Sequence, residues 1–485
     1  MADDHIKHVV LLLLENRSFD QMLGCLQASI PDLDGIDPGS AEKRFNVDAN
    51  GQKYFQEPTQ AKQTEPDPDH ESFHVVEQIK DDNAGFVRDY QSVYPNTTPA
   101  QRQQIMSYYP QGFLPALHQL GSEFTVCDRW FSSLPGPTWA NRFFALSGTC
   151  SGKVTMPGGI KDPKLETFFQ QTQDTIFNRL QEAGRSWWIY YYDIPCSLVL
   201  NKLRQPDQLE HYRNIQMFFD KDVKDEQTFP DFVFIEPKYS GIDQNDDHPP
   251  HNVIKGEKLI ADVYNAIHSN TELWNSTLFI VAFDEHGGFY DHVVPPLAVP
   301  PAPPQPTDEY TFDRYGVRVP ALLISPWVGK RVEHTVFDHT SVLKYLIDKW
   351  GLNGLTNRTA AANSIAVALT DTRRDDTIGF IRVPFSDLVS DRPDLETGQV
   401  SPFQESLHAL SFFVARDSDV FSGKALELLT TEAGVLDQAK ASAGGLLIRV
   451  GTWLTAGVEQ HTAARVKLIN EGIASILSRA KRPDH

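Results

Sequence analysis

The chain has 485 residues, 40% of them hydrophobic, 11% aromatic and 22% charged, a composition that excludes disordered and collagen-like classes and leaves material for a large core. Acidic residues outnumber basic ones, 64 against 44, for a net charge of −20; this argues against nucleic acid as a partner and allows at most transient contact with a membrane surface, because polyphosphate surfaces attract basic faces. The opening "MADDHIKHVV" lacks the basic, long-apolar and small-residue pattern of a signal peptide, and no apolar run is long enough to span a bilayer, so the expected location is cytoplasmic unless a signal was removed.

The first predicted element is a strand over residues 6–14, apolar throughout as parallel strands covered on both faces are, and it ends abruptly in Glu15, Asn16, Arg17, Ser18 and Asp20. Residues 31–70, rich in Pro, Asp and Gln, read as an excursion over the surface that closes on "DPDH", with His70. "LPGPTWANRFFALSGT" (134–149) puts Thr138 after a rigid Pro-Gly-Pro bend and at the start of a helix, with Asn141 and Arg142 in the next turn. A hydroxyl and free amides at a helix N-terminus suit a phosphate, and Arg suits it bidentately; a plain helix cap is the competing reading of Thr138. "RSWWIYYYDIP" (185–195) is either a strand with a half-buried aromatic face or a cation–π box for a quaternary ammonium.

"NDDHPPH" supplies His248 and His251, and a helix follows over 254–268. A second apolar strand, from about Leu278 to Phe283, again ends in acids, Asp284 and Glu285, followed by His286 and two glycines. The proline-dense 293–306 is either a wall of the site or a crossover loop, 319–327 reads as a third strand of the same parallel kind, and 340–350 as a helix. Strands alternating with helices give an α/β fold with a mostly parallel sheet. The texture changes near 400, so residues 1–395 form one expected domain and 396–485 a mainly helical C-terminal appendage. Cys25, Cys127, Cys150 and Cys196 lack metal-site spacing and are expected to be free buried thiols; the sequons at Asn96, Asn275 and Asn357 matter only on secretion.

Ligands of open α/β sheets bind where strand carboxyl ends converge. Glu15 and Asn16 at one such end, with Asp284 and Glu285 at another, offer three carboxylates and an amide oxygen, the donor set of a hard divalent cation such as Ca, Mg, Mn or Zn. Taken singly, Glu15 reads equally as a capping acid and Asp284 as a turn acid. Histidines beside acids and prolines, among them His70, His74, His248, His251, His286, His292 and His339, are candidate proton carriers or phosphate ligands. No HExxH, Walker A, GxGxxG or GxSxG pattern points to other chemistry.

The stretches "ENRSFDQMLG", "DPDH", "PGPTWANR", "NDDHPPH", "DEHGGFYDHV", "GVRVPALLISPW" and "DHTS", in that order over about residues 6–350, resemble the phosphoesterase family of non-specific phospholipases C and related bacterial acid phosphatases. The resemblance implies an alkaline-phosphatase-like core with helices on both faces of the sheet. It further implies metal ligation by Glu15, Asn16, Asp284 and Glu285, and Thr138 as a nucleophile that becomes phospho-threonine. Asn141 and Arg142 match the Asn-Arg after that nucleophile, and His70, His248 and His251 match the family's histidine segments. One departure is Ala140, where the family pattern has Pro. The implied substrate is a phospholipid phosphodiester, with a phosphomonoester phosphatase or a non-catalytic phosphate or lipid binder as alternatives.

Overall fold

The computed structural model describes residues 5–417, apart from 38, 41–42, 158–164, 241–242, 305–309 and 399–400. One eight-stranded sheet forms the frame: β1 (His8–Leu14), β2 (Thr125–Cys127), β3 (Trp187–Tyr191), β4 (Tyr212–Asn214), β5 (Phe232–Ile235), β6 (Thr277–Phe283), β7 (Ala321–Ile324) and β8 (Arg331–Glu333), in the spatial order β8-β2-β7-β6-β1-β5-β3-β4. β1 lies between β5 and β6 and runs parallel to both, with Val9 opposite Phe232 and Leu278. Every residue of β1 and β6 is buried, so both faces of the sheet are covered, as the unbroken apolar runs require. Burying the six aliphatic side chains of Val9–Leu14 contributes on the order of 10 kcal/mol before chain entropy is subtracted.

Among the helices that matter for the site are α1 (Ser72–Gln78), α2 (Thr138–Ser147), α3 (Val253–Ser269), α4 (Thr340–Trp350) and α5 (Pro402–Asp417). α3 and α4 coincide with the predicted helices to within a residue or two. α2 ends on Gly148 in the left-handed conformation, φ 72°, the usual stop for a helix.

The strand read from 319–327 exists as β7, but it runs antiparallel to both its neighbours, β6 and β2. An apolar run reports burial on both faces and carries no information about direction. The connection into β7 contains no described helix; the proline-dense loop folds back along 313–315, where Ala298 N–H donates to Asp313 O and Tyr315 N–H to Pro296 O. All four cysteines are free and buried. Of the expected C-terminal region, residues beyond 417 lie outside the described residues; its first helix, α5, packs on the main body, where Phe403 meets the rings of Trp139 at 4.9 Å and Tyr239 at 5.3 Å.

Candidate active site

β1 and β6 finish level, Leu14 opposite Phe283, so the residues that follow them meet although 268 positions separate them in sequence. The ladder continues past the strands: Asp284 N–H donates to Leu14 O at 3.0 Å, Glu15 N–H to Asp246 O at 2.8 Å and Arg17 N–H to Glu285 O at 3.0 Å. Asn16 turns the chain in the left-handed region, φ 57°, which Asn tolerates better than most residues, and its N–H donates to Asp284 Oδ1 at 3.2 Å. Gly287 takes φ 62° against this turn; a Cβ there would stand 2.3 Å from the Asn16 carbonyl oxygen, so only glycine fits.

Glu15, Asn16, Asp284 and Glu285 are all 0% exposed, yet their oxygens are not satisfied equally. Asp284 accepts from Asn16 N–H, from Glu285 N–H at 2.7 Å and from Arg142 Nε at 2.9 Å. Both Glu15 oxygens, Asn16 Oδ1, Glu285 Oε1 and the Thr138 hydroxyl have no hydrogen-bond partner. Orphaned buried oxygens are rare because each costs about 1–3 kcal/mol, more when charged. Burial raises Glu15 well above the usual carboxylate range, opposed by Arg142 and reinforced by Asp284, Asp246 and Glu285. Burial likewise pushes Glu285 up to about 8, against the pull of His70. This oxygen set fits a divalent cation, which would satisfy the orphans and hold the carboxylates ionised.

Thr138 opens α2, and Arg142, one turn later, lies on the same helix face. Arg142 spends its five N–H groups on the protein: Nε on Asp284, Nη1 on the Tyr239 hydroxyl at 2.7 Å and on Cys196 Sγ at 3.6 Å, and Nη2 on the Leu13 and Leu14 carbonyls, with Glu15 Oε1 3.2 Å away. It is placed to hold the carboxylates and has no free fork for a phosphate. Asn141 ties the preceding bend: its Oδ1 accepts from Leu134 N–H at 3.2 Å and its Nδ2 donates to Gly136 O at 2.9 Å.

His70 reaches the oxygen set, its Nε2 lying 3.3 Å from Asn16 Nδ2 and 3.6 Å from Glu285 Oε1. Burial would lower this imidazole, but Glu285 and Asp67 prevail and raise it to about 9. His248 stands behind it, ring centroids 6.3 Å apart, and His251 donates from Nδ1 to Asp246 Oδ1 at 2.5 Å. His339 supports from outside: its Nε2 donates to the Asp284 carbonyl at 2.6 Å, and Trp130 donates to its Nδ1 at 3.4 Å. His74 pairs with Asp89 at 2.7 Å and His286 with Gln78 at 2.8 Å, away from the orphaned oxygens.

A second group, Asp20, Asp291 and His292, has ligand atoms within 4.8 Å of one another. Its oxygens are occupied: Arg318 donates to Asp291 Oδ1 at 2.8 Å and to Asp20 Oδ1 at 3.0 Å, and Gln56 to Asp20 Oδ2 at 2.8 Å. It is a closed charge network that joins the tails of the "ENRSFD" and "FYDHV" stretches. The aromatic segment is likewise structural: Trp187 is buried and stacks on His211 at 3.9 Å, Tyr190 donates to Asp222 at 2.8 Å, and Arg213 already covers the Trp188 ring at 3.3 Å. No choline box is formed there. Asp67, Asp246 and Tyr239 join the site without having been singled out; the first two sit inside "DPDH" and "NDDHPPH", beside the histidines that were.

The family model described as Phosphoesterase family matches residues 6–353. The chain belongs to the Phosphoesterase family. Among its relatives, non-specific phospholipase C3 of Arabidopsis thaliana is 33% identical over 76% of this chain and 77% of its own length. Non-specific phospholipase C6 of Arabidopsis thaliana is 34% identical over 76% and 74%. Phospholipase C B of Mycobacterium tuberculosis is 27% identical over 76% and 77%. A solved structure from Vibrio parahaemolyticus, of a protein in the alkaline phosphatase superfamily, aligns over 68% of this chain and 74% of its own at 14% identity and TM-score 0.30, a likeness too distant to bear on the site. As a member of the Phosphoesterase family the protein is a phosphoric ester hydrolase, and no helix among its described residues is long and apolar enough to cross a membrane.

Proposed function

We propose that this phosphoesterase is a metal-dependent phosphodiesterase of the phospholipase C type, cleaving phospholipids to diacylglycerol and a phosphorylated head group through a phospho-threonine at Thr138. The observation that carries the reading is the set of buried oxygens without hydrogen-bond partners: Glu15 Oε1 and Oε2, Asn16 Oδ1 and Glu285 Oε1 past the level ends of β1 and β6, and Thr138 Oγ at the start of α2. A binder needs no unpaired hydroxyl beside its cation, whereas a nucleophile does. The printed names of the relatives favour the diester over the monoester.

Glu15, Asn16, Asp284 and Glu285 would hold the divalent ion, whose chemistry is that of a Lewis acid toward phosphate oxygen and toward the Thr138 hydroxyl. The first amides of α2 have no partner within the helix and would be available to the phosphate. His70, 3.6 Å from Glu285 Oε1, would add positive charge for the phosphoryl oxygens when protonated. Arg142 works at one remove, keeping Glu15 and Asp284 in place, and Asn141 fixes the bend that aims Thr138. The proton for the departing alcohol, and the base for the water that hydrolyses the phospho-threonine, would come from the buried network of acids and imidazoles in which His248 and His251 lie.

With the −20 net charge repelling anionic lipid, a zwitterionic head group should be preferred. The test is a rate comparison of p-nitrophenyl phosphate, p-nitrophenylphosphorylcholine, short-chain phosphatidylcholine and short-chain phosphatidylglycerol with divalent ion present. Turnover of the choline diesters above the monoester is expected. Efficient monoester turnover with inert diesters would make the protein a phosphatase, and no turnover of any of them would leave a binder.

A further inference from the structure

One carboxylate at this site has no role in the reading above. Asp67 lies in the loop before His70, clamped by Tyr94, whose hydroxyl donates to the Asp67 carbonyl at 2.9 Å, and by Tyr90, which donates to Pro66 O at 3.0 Å. Its Oδ2 is 3.7 Å from His248 Nε2, and its Oδ1 is shut away from water with no hydrogen-bond partner. The other nitrogen of His248, Nδ1, is committed to the Pro249 carbonyl, which can only accept, so Nδ1 carries the proton of the neutral ring. Nε2 is then bare, and it points at a carboxylate.

Which group holds the proton follows from the surroundings. Burial, with the neighbouring imidazoles of His251 and His70, holds His248 well below the usual histidine range, and Arg17 acts in the same sense. A neutral His248 therefore has no proton on Nε2 to give. Burial raises Asp67 to about 7; His70, Arg17 and His251 pull against this, and Asp69 adds to it. With Nε2 bare and the carboxyl 3.7 Å from it, the two groups hold one proton between them, and it lies on Asp67.

Position decides what that proton is for. Thr138 is 0% exposed, whereas the Asp67 side chain is 21% exposed. In-line displacement at phosphorus puts the leaving oxygen opposite the nucleophile. An attack from the deeper Thr138 would send the departing alcohol, with any acyl chains, toward the more exposed side, that of Asp67.

We propose that Asp67, and not a histidine, is the acid that protonates the departing alcohol oxygen, with His248 Nε2 orienting its carboxyl. The assignment rests on the phosphodiesterase reading. In the first half-reaction Thr138 Oγ, entering as the alkoxide, bonds to phosphorus. The bond from phosphorus to the alcohol oxygen breaks with its electron pair on that oxygen, and the oxygen takes the proton of Asp67. In the second, water bonds to phosphorus, its proton returns to the Asp67 carboxylate, and Thr138 leaves as the alkoxide.

The test compares an ester that needs an acid with one that does not. kcat/KM stops at release of the alcohol, so it isolates the first half-reaction. Asp67→Asn should lower kcat/KM for short-chain phosphatidylcholine by about 100-fold or more, yet change it by less than about threefold for p-nitrophenylphosphorylcholine, whose phenolate departs without help. Retained cleavage of the aryl ester shows at once that the variant is folded. In the wild-type enzyme, kcat/KM for the lipid should fall as pH rises through about 7 while the ratio of lipid to aryl rates falls with it, a comparison that needs no variant. Equal losses on both esters, no loss on the lipid, or a lipid-to-aryl ratio that does not change with pH would overturn the assignment. Wild-type protein that cleaves neither diester overturns the phosphodiesterase reading itself, before any variant is made.

Discussion

Replacing Arg142 by glutamine should expose how the anionic site is held together. The guanidinium is fully buried, with Asp284 Oδ2 2.9 Å away, Glu15 Oε1 3.2 Å away and the Tyr239 hydroxyl 2.7 Å away. Breaking one buried ion pair by removing a partner costs about 3–5 kcal/mol, because a charge is left uncompensated. Here two carboxylates lose the same cation, and the Leu13 and Leu14 carbonyls lose a donor, so a loss of about 4–6 kcal/mol is expected in metal-free protein. Glutamine retains some hydrogen bonding, which favours the lower end. The assay is urea unfolding of wild type and Arg142→Gln, each after chelation and again with a saturating divalent ion. An ion at 100 times its Kd stabilises by about 2.7 kcal/mol, and the variant site, more negative by one charge, should gain at least that much, so the gap between the proteins should narrow. A variant within about 1 kcal/mol of wild type after chelation would refute the reasoning, since it would show that the carboxylates are protonated and that Arg142 compensates nothing.

Further outcomes follow from the same geometry. Thr138→Ala should cut kcat by at least about 1000-fold, with stability little changed because the Thr138 hydroxyl has no hydrogen bond to lose; near-wild-type turnover would mean Thr138 is not the nucleophile. Chelation should abolish activity and a divalent ion should restore it, with metal analysis of fully active protein as the check. Metal-free protein should also lose stability as pH rises. Glu285 at about 8, against an ordinary 4.5, and His70 at about 9, against 6.5, both favour their protonated forms in the fold. Their contribution is complete below their unfolded values and is lost as pH climbs through 8 and 9. Melting temperatures across pH 5–9, with and without divalent ion, test this; a metal-free melting point that rises toward alkaline pH contradicts it.

The sequence made the two halves of the oxygen set readable because each ends an unmistakable apolar strand, and parallel neighbours of equal length must bring their ends together. Glu15 and Asp284 are visible for that reason. The direction of β7 was not visible, since Leu322 and Leu323 look the same whichever way the strand runs. The work of Arg142 was hidden too: its i,i+4 spacing from Thr138 is local, but its partners on β1 and β6 are more than 120 residues away in both directions. Aromatic residues 187–192 misdirect in the opposite sense, because a composition fit for a cation box is also fit for a strand packed under a helix. Asp67 was passed over for the histidine three residues on, since a carboxylate in a proline turn looks solvated until Tyr90 and Tyr94 are seen to clamp it.

The pairing of β1 with β6 has a consequence for biogenesis. A ribosome adding roughly 5–20 residues per second needs tens of seconds to travel from Asn16 to Asp284, 268 positions later. Throughout that interval Val9–Leu14 has emerged without the neighbour that will cover one edge of it, and its other edge waits for Phe232–Ile235. This apolar segment is thus made long before the neighbours that complete it, a sticky edge during synthesis. Expression in which a holding chaperone is scarce should divert nascent chains into aggregates at this stage, and the yield of soluble protein should respond to slower translation or lower temperature more strongly than the stability of the finished fold would suggest.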